Sequence, residues 1–358
     1  MSIMSEVEDD DCCSEASSIL NNGSVVSTVP DRYGFIGGSQ YSPEAKKRSL
    51  SPTIILKREQ KWLQMLQNWD KFMAKNYKKV RERCRKGIPP SVRQRAWLFL
   101  CGGNKLMNQS TKRYEELCAK SGDPKWLDDI KKDLHRQFPY HEMFMNQEGH
   151  GQRDLFNVLK AYSILNSKIG YCQAQAPLAA FLLTRMPAEE AFYCLVSICD
   201  KYLPGYYSQG MEALKIDGEI LFGLLKKVAP NIHKHIKKQK IEPILYMTEW
   251  FLCVFTRTLP WSSILRVWDL FLCEGVKILF KVALVLMKLS LGDKSVSILR
   301  KKYPSMYETL EALRNPPVHI LEEDFLVREM FRLKLTDEDF RNEHLRQTTL
   351  RRASNARL

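Results

Sequence analysis

Two short stretches of the sequence hold polar side chains whose spacing could support chemistry. The first is "IKKDLHRQFP" at residues 130 to 139, in which Ile130, Asp133 and Arg136 follow one another at intervals of three. On a helix such neighbours lie on one face, so the Asp133 carboxylate can hold the Arg136 guanidinium in a fixed orientation. The same spacing also describes an exposed ion pair worth well under ~1 kcal/mol. The stretch by itself does not distinguish a functional arginine held in a fixed orientation from an ordinary surface ion pair.

The second stretch is "IGYCQAQAPLAAFLL" at residues 169 to 183, where Gln173 and Gln175 precede an apolar helix. A carboxamide can both donate and accept hydrogen bonds. Cys172 could act as a nucleophile only beside a base, and no histidine is near it in sequence, which favours a small buried cysteine. Gln175 should point away from Gln173, and we interpret it as a polar contact at a helix start or as a partner contact.

Metal and nucleotide chemistry lack their usual sequence patterns. Seven histidines and ten cysteines show no zinc-binding spacing. Neither GxxxxGKS/T nor GxGxxG occurs, so the sequence offers no phosphate cradle of its own. We therefore expect no metal site and no nucleotide cofactor that the chain binds alone.

The charge distribution favours an acidic partner. The chain of 358 residues carries a net charge of +14. Residues 1 to 40 hold seven acids and one base, a charge of −6, so the remainder carries +20. Such a surface suits nucleic acid, an anionic membrane or an acidic protein. Nucleic acid is not expected, because the basic residues are spread over many helices and accompany no recognised nucleic-acid-binding motif.

Apolar periodicity predicts an all-α fold, because no stretch alternates long enough to indicate a sheet. Polar composition predicts disorder in residues 1–50 and in the basic tail 336–358. A single amphipathic helix is predicted over 51–84, with Trp62, Leu66, Trp69, Met73, Tyr77 and Val80 on one face. The main domain is predicted over 85–290, and further helices over 291–335 should pack on it. Asp123 and Pro124 predict the start of the helix that carries Asp133.

Four sequence blocks, which occur in a fixed order between residues 85 and 290, resemble the conserved motifs of a known family. They are "RKGIPPSVRQRAW", "IKKDLHR", "YCQ" and "WFLCVFTRTLPWSSILRVWDLFLCEG". This order resembles the TBC domain, the two-lobed helical domain that activates Rab GTPases. The sequence around these blocks, including "GYCQAQAP" and "KYLPGYYS", resembles the EBP50-PDZ-interactor branch of that family.

The resemblance implies a role for each matching residue. Arg136 would be an arginine finger and Gln173 a glutamine finger, both supplied in trans to a GTP-bound Rab, which carries the GTP and Mg²⁺. Asp133, Ile130 and Tyr171 would support them. The matching residues of the outer blocks would be scaffold or partner contacts: Arg93, Trp97, Trp268 and Asp269. A catalytically silent TBC scaffold is the alternative, and retention of both fingers argues against it.

Two local features refine these expectations. The family's usual Gly-Met after YxQ is replaced by Ala174-Gln175, so the helix could begin directly after Gln173 and alter the finger's approach. Ala356 stands where the commonest PDZ ligands have Ser or Thr, which argues against a PDZ partner. The N-terminus lacks signal-peptide features and no apolar run is long enough to span a bilayer, so we expect a cytoplasmic protein recruited peripherally to vesicle or plasma membranes.

Overall fold

The computed structural model describes residues 19–21, 24–26, 29–37, 51–110 and 112–355. Helices make up most of these ranges, which confirms the predicted all-α class. The first helices are α1 (Pro52–Gln67), α2 (Trp69–Lys75), α3 (Tyr77–Lys86), α4 (Pro90–Cys101), α5 (Gly103–Gln109), α6 (Arg113–Ala119) and α7 (Pro124–Leu134). The central helices are α8 (His150–Leu165), α9 (Gln175–Leu183), α10 (Ala188–Ser197), α11 (Glu212–Val228), α12 (Pro230–Lys238) and α13 (Ile244–Leu252). The last are α14 (Trp261–Glu274), α15 (Lys277–Leu291), α16 (Val296–Lys302), α17 (Met306–Arg314), α18 (Glu323–Arg332) and α19 (Asp337–Asn355).

Four shorter elements complete the described chain. A π-helical turn, Ile198–Tyr202, continues α10, and a turn of 3-10 helix, Val318–Leu321, precedes α18. Strands β1 (Ile19–Asn21) and β2 (Ser24–Val26) form a small antiparallel pair with Ile19 opposite Val26. The pair is far too small to change the fold class.

A cluster of aromatic rings joins α4, α9 and α14 at the centre of the core. Phe181 lies 4.6 Å from Trp268 and 5.0 Å from Trp261 between ring centroids, and Trp97 lies 5.6 Å from Trp268. Every residue of α9 is buried, as expected for a helix that is apolar on all sides. Because α9 is enclosed in this way, the turn that precedes it is held in a fixed position.

The single helix predicted over 51–84 is wrong: the structure has three helices, with breaks at Asn68 and Asn76. Each asparagine ends a helix: the Asn68 backbone N–H donates to the Met65 carbonyl, and the Asn76 backbone N–H donates to the Phe72 carbonyl. Asparagine favours helix ends because its side chain competes for backbone hydrogen bonds. The breaks do not remove the apolar stripe, since Trp62, Trp69 and Val80 are buried.

The helices predicted over 291–335 include α16 and α17, which lie on either side of Pro304. Ser305 begins α17 with a capping box, in which Glu308 accepts a hydrogen bond from the Ser305 backbone N–H at 3.0 Å. The three helices α16, α17 and α18 pack against α12, α15 and α14 respectively.

The disorder predicted for residues 336–358 is wrong over most of that tail, because residues 337–355 form α19 and pack against α11. Several ion pairs join the helix to the rest of the domain. Lys227 pairs with Asp339, Lys277 Nζ lies 2.9 Å from Asp337, and Arg351 pairs with Glu212. Composition missed this helix because its partners are on distant parts of the chain. Residues 356–358, including Ala356, lie outside the described residues.

The disorder predicted for residues 1–50 is wrong for residues 19–21 and 24–26, which form β1 and β2, and for residues 29–37, which pack on the domain. Phe35 is 1% exposed, and its backbone bridges to His141. Residues 1–18, 22–23, 27–28 and 38–50 lie outside the described residues, so the prediction stays a prediction there. In the described part of the chain, none of the helices is long and apolar enough to cross a membrane.

Candidate functional site

Helix α7 positions the first predicted motif. Asp123 caps it by accepting a hydrogen bond from the Lys125 backbone N–H at 2.9 Å, and Pro124 occupies the first helical position. Both features were predicted and both are confirmed. Ile130 and Asp133 are buried, whereas α7 ends at Leu134. Arg136 therefore lies just beyond the helix, and not within it as the spacing of three implied.

Asp133 joins the two stretches that the sequence singled out. One of its carboxylate oxygens accepts a hydrogen bond from Arg136 Nη2, and the other accepts one from the Tyr171 hydroxyl at 2.5 Å. The carboxylate is 9% exposed, whereas the Arg136 side chain is 41% exposed. The guanidinium is thus anchored at one edge and open to solvent over much of the rest. Such an arginine can reach a partner without losing its orientation.

Tyr171 is a permanent donor to this carboxylate. Burial, and next the hydrogen bond to Asp133, raise the pKa of the Tyr171 phenol well above its usual value. The hydroxyl therefore keeps its proton at any physiological pH. Since Tyr171 lies two residues before Gln173, this bond ties the turn that carries Gln173 to the end of α7.

Gly170 allows the turn to approach α7 closely. Its φ is +65°, and an added Cβ would lie 2.2 Å from Trp126 Cε2 on α7. Only glycine combines that left-handed conformation with such a short approach. The backbone N–H of Gly170 also donates to the Asn166 carbonyl at 2.8 Å, at the end of α8. The turn is therefore set by both α7 and α8.

The two glutamines of the second stretch have opposite environments. Gln173 is exposed in a turn, whereas Gln175 is fully buried at the first position of α9. Gln175 Oε1 accepts a hydrogen bond from the Cys172 backbone N–H at 3.1 Å. Of the two interpretations of Gln175, the helix-start contact is the one the structure shows. The helix begins two residues after Gln173 and not directly after it.

Cys172 is a half-buried thiol whose environment disfavours nucleophilic chemistry. Burial raises the pKa of the Cys172 thiol, and the nearby Asp133 adds to the shift. Because the thiolate is the reactive form, a raised pKa lowers reactivity. The interpretation of Cys172 as a packing residue agrees with this geometry.

The segment 29–37 supports the loop that follows Arg136, and the sequence reasoning missed it. Phe35 packs edge-on against Trp261 at 4.9 Å, His141 at 5.0 Å and Phe138 at 6.4 Å between ring centroids. Backbone bonds run from Ile36 N to the Tyr140 carbonyl at 2.9 Å and from Glu142 N to the Gly34 carbonyl at 2.8 Å. The available signal was the cluster "RYGF" in an otherwise polar stretch.

The residues matched in the outer blocks form a buried scaffold. Asp269 is fully buried and accepts hydrogen bonds from Ile88 N at 2.9 Å, Arg93 Nε at 3.1 Å and Trp97 Nε1 at 2.8 Å. Trp268 is also fully buried, and its Nε1 donates to the Val254 carbonyl at 3.2 Å. The outer-block residues were expected to be either scaffold or partner contacts. The structure agrees with the scaffold role, because side chains buried in this way are not available to a partner.

Arg266 locks the same scaffold to the N-terminal helices. Its guanidinium donates to the carbonyls of Cys84 at 3.1 Å and Arg85 at 2.7 Å. Gly87 has a φ of +93°, and a Cβ there would lie 2.9 Å from Arg266 Nη1. The glycine of the opening block is therefore required by the arginine of the closing block.

This combination of helices and buried scaffold defines a known class of protein. The family described as the Rab-GTPase-TBC domain matches residues 90–292. The match covers more than half of the 358 residues, so the chain belongs to the Rab-GTPase-TBC domain family. The domain predicted from sequence, residues 85–290, differs from the matched range by a few residues at each end.

The chain is most informatively compared with three relatives of this family. Mouse TBC1 domain family member 10A is 56% identical over 317 residues, 88% of this chain and 63% of the relative. Mouse TBC1 domain family member 10B is 54% identical over 338 residues, 94% of this chain and 42% of the relative. Drosophila melanogaster TBC1 domain family member whacked is 53% identical over 328 residues, 92% of this chain and 89% of the relative. The chain thus spans less than two thirds of the two mouse relatives, and the branch resemblance stated from its motifs is confirmed.

Solved structures agree with this assignment. The chain is similar to the Chlamydomonas flagellar RabGAP TBC domain, with a TM-score of 0.65 and 27% identity over 85% of this chain and 99% of that one. The Ypt/Rab-GAP domain of Gyp1p matches with a TM-score of 0.59 over 81% of this chain and 99% of that one. At 18% identity the second likeness concerns the fold alone.

Proposed function

We propose that this chain is a GTPase activator for a Rab-family small GTPase, and that it supplies Arg136 and Gln173 to the GTPase active site. Family membership supports the class of activity. The observation that carries the residue assignment is the Asp133 carboxylate, which accepts from both Arg136 and Tyr171. It couples an exposed arginine to the turn that presents an exposed glutamine.

The chemistry of GTP hydrolysis calls for both of these side chains. Charge spreads over the γ-phosphoryl oxygens in a loose transition state. A planar guanidinium that is always cationic and has several donors is suited to stabilise that charge. Arg136 takes this role, with Asp133 fixing its orientation.

The attacking water must also be placed in line with the leaving group. A carboxamide can accept a hydrogen bond from the water and donate one to the phosphate. Gln173 takes this role, and the buried Gln175 and Tyr171 hold its turn on either side. The Rab brings GTP and Mg²⁺, so this chain needs no nucleotide or metal of its own.

Regulation of membrane traffic follows from this activity. We propose that the protein acts in the cytoplasm and is recruited peripherally to vesicle or plasma membranes that carry the GTP-bound Rab. The charge of +20 on residues 41–358 favours an anionic leaflet. A silent scaffold that binds a Rab without accelerating hydrolysis remains the competing function.

Single-turnover GTP hydrolysis on a panel of purified Rabs tests the proposal. We expect acceleration of at least one Rab, and a loss of about 10³-fold or more in Arg136→Ala. Gln173→Ala should lose about 10²-fold or more, as for a residue that positions the nucleophile. Arg314→Ala and Gln60→Ala, which change exposed residues of the same types elsewhere, should match the wild type.

The outcomes separate the two functions. Binding of a GTP-loaded Rab without any acceleration would establish the scaffold. Acceleration that survives in both Arg136→Ala and Gln173→Ala would show that other residues carry the catalysis.

A further inference from the structure

A cavity of about 410 Å³ lies between α1 and α3, apart from the finger residues. Its charged lining consists of six basic residues and one acidic residue, a net charge of +5: Lys57, Arg58, Lys61, Lys79, Arg83, Lys86 and Glu82. The α1 and α3 contributions each follow helical spacing, so two rows of cations face each other across the cavity. We call this site the basic cavity.

The cations of the basic cavity lack acidic partners in the described chain. Salt bridges elsewhere pair many arginines and lysines, including Arg85 of the same helix with Glu274. Within the described residues, no salt bridge involves any of the six basic residues that line the cavity. Six like charges held together beside a single acidic residue repel one another, and an anion in the cavity would relieve that repulsion.

Two of the cations are held in place by the backbone across the cavity. Arg83 Nη1 donates to the Lys61 carbonyl at 2.5 Å, and Arg58 Nη1 donates to the Lys86 carbonyl at 3.3 Å. Trp62, which is 2% exposed, also lines the cavity. Burial lowers the pKa of the Arg83 guanidinium. Arg83 is thus partly desolvated although no carboxylate pairs with it. In this it differs from the fully hydrated lysines of an ordinary exposed helix face.

We infer that the basic cavity binds a small polyphosphorylated anion, presented as the headgroup of a membrane lipid. The cavity volume lies in the range of small-molecule sites. Fixed guanidinium groups and mobile ammonium groups suit phosphate oxygens, which accept several charge-assisted hydrogen bonds. A single carboxylate would leave most of the charge of +5 unbalanced.

The apolar surface beside the cavity favours a lipid source over a free anion. Ile54 lines the cavity and is 44% exposed. Exposed apolar side chains next to cations are typical of helices that lie in a membrane interface. This inference locates the membrane contact suggested by the overall charge and does not depend on the two fingers.

Sedimentation of the full chain with lipid vesicles tests the inference. We expect stronger binding to vesicles that contain phosphatidylinositol bisphosphate than to phosphatidylserine vesicles matched in surface charge. Soluble inositol trisphosphate should compete for the cavity. Lys57→Gln combined with Lys79→Gln should weaken binding by about tenfold or more, because two charge-assisted hydrogen bonds to phosphate are lost.

A matched pair of substitutions controls for lost charge. Lys71→Gln combined with Lys78→Gln removes two exposed lysines from α2 and α3 that do not line the cavity, and should change binding less than threefold or so. Lys57 and Lys79 are also exposed, so both double variants should keep the wild-type circular dichroism.

Three results would overturn the inference. Equal binding to the two charge-matched vesicles would show general electrostatic attraction. Equal losses in the two double variants would show that the cavity is not the contact. Binding of inositol trisphosphate without binding of vesicles would exclude the lipid source. The assay contains no GTPase, so its failure is distinct from failure of the proposed GTPase activation.

Discussion

Replacing Asp133 with asparagine should release Arg136 while leaving the fold intact. The carboxylate accepts from both Arg136 and Tyr171, whereas an amide of the same shape has only one oxygen acceptor. One of the two donors must lose its partner. Tyr171 is 7% exposed and an unpaired buried hydroxyl costs about 1–3 kcal/mol, whereas Arg136 can turn to water. We therefore expect the amide oxygen to stay with Tyr171.

The size of the effect follows from the freedom that Arg136 regains. Ordering an arginine side chain costs about 1.5–2 kcal/mol of conformational free energy. If that ordering must occur during hydrolysis, the rate falls by about 10- to 30-fold. This loss is much smaller than the ~10³-fold or greater loss expected when the guanidinium is removed. Thermal stability should fall by only a few degrees, since one charge-assisted hydrogen bond is lost.

Single-turnover hydrolysis with a responsive Rab measures the effect. Asp133→Asn should lower the maximal rate of hydrolysis with little change in Rab affinity. Asp129→Asn is the control, because Asp129 lies on the same helix and, among the described residues, forms an ion pair only with the exposed Lys132, at 3.4 Å. The control should retain the wild-type rate.

A double-mutant cycle decides whether Asp133 acts through Arg136. In the Arg136→Ala background, Asp133→Asn should cause less than about a threefold further loss, because the guanidinium that it orients is gone. A wild-type rate in Asp133→Asn alone would refute the orienting role. Fully additive losses in the double variant would show that Asp133 acts by another route.

Three further predictions concern the surroundings of the fingers. Phe35→Ala should destabilise the docked segment by about 3–5 kcal/mol and speed hydrogen exchange in residues 136–144, whereas Val318→Ala, at a site 58% exposed, should do neither. Burial lowers the pKa of His141 to about 4. As the pH falls below about 6.5, His141 is therefore protonated in the unfolded chain before it is protonated in the folded chain. The free energy of unfolding should fall by up to about 3 kcal/mol between pH 6.5 and pH 4. Urea unfolding at pH 7 and pH 4.5 checks this loss, which should be absent in His141→Gln. Gln175→Met should leave the Cys172 N–H without its partner and lower the free energy of unfolding by about 1–3 kcal/mol, as measured in urea.

Short-range patterns predicted much of the fold. The helix start at Asp123 and Pro124 needed only the chemistry of two neighbouring residues, and it was confirmed. The breaks at Asn68 and Asn76 were missed, because the apolar stripe continues across them at helical spacing. A stripe reports which side chains face the core, but it does not report whether the backbone is continuous.

Long-range contacts explain both errors at the chain ends. Helix α19 contains few apolar residues, and what holds it includes ion pairs with α11 and α15. Phe35 is buried because Trp261, 226 residues later in the chain, lies beside it. Composition counts the apolar residues in a segment, but it does not show the surface on which a few of them will dock.

The sequence by itself determined the all-α class, the spacing that lets Asp133 pair with Arg136, and the presence of two glutamines before an apolar helix. Only the tertiary structure decided what those glutamines do. It buried Gln175, exposed Gln173, and linked Asp133 to Tyr171 across 38 residues. The physical reason is that a helical ion pair depends on a few neighbouring backbone angles, whereas the position of one loop on another depends on the packing of every helix between them.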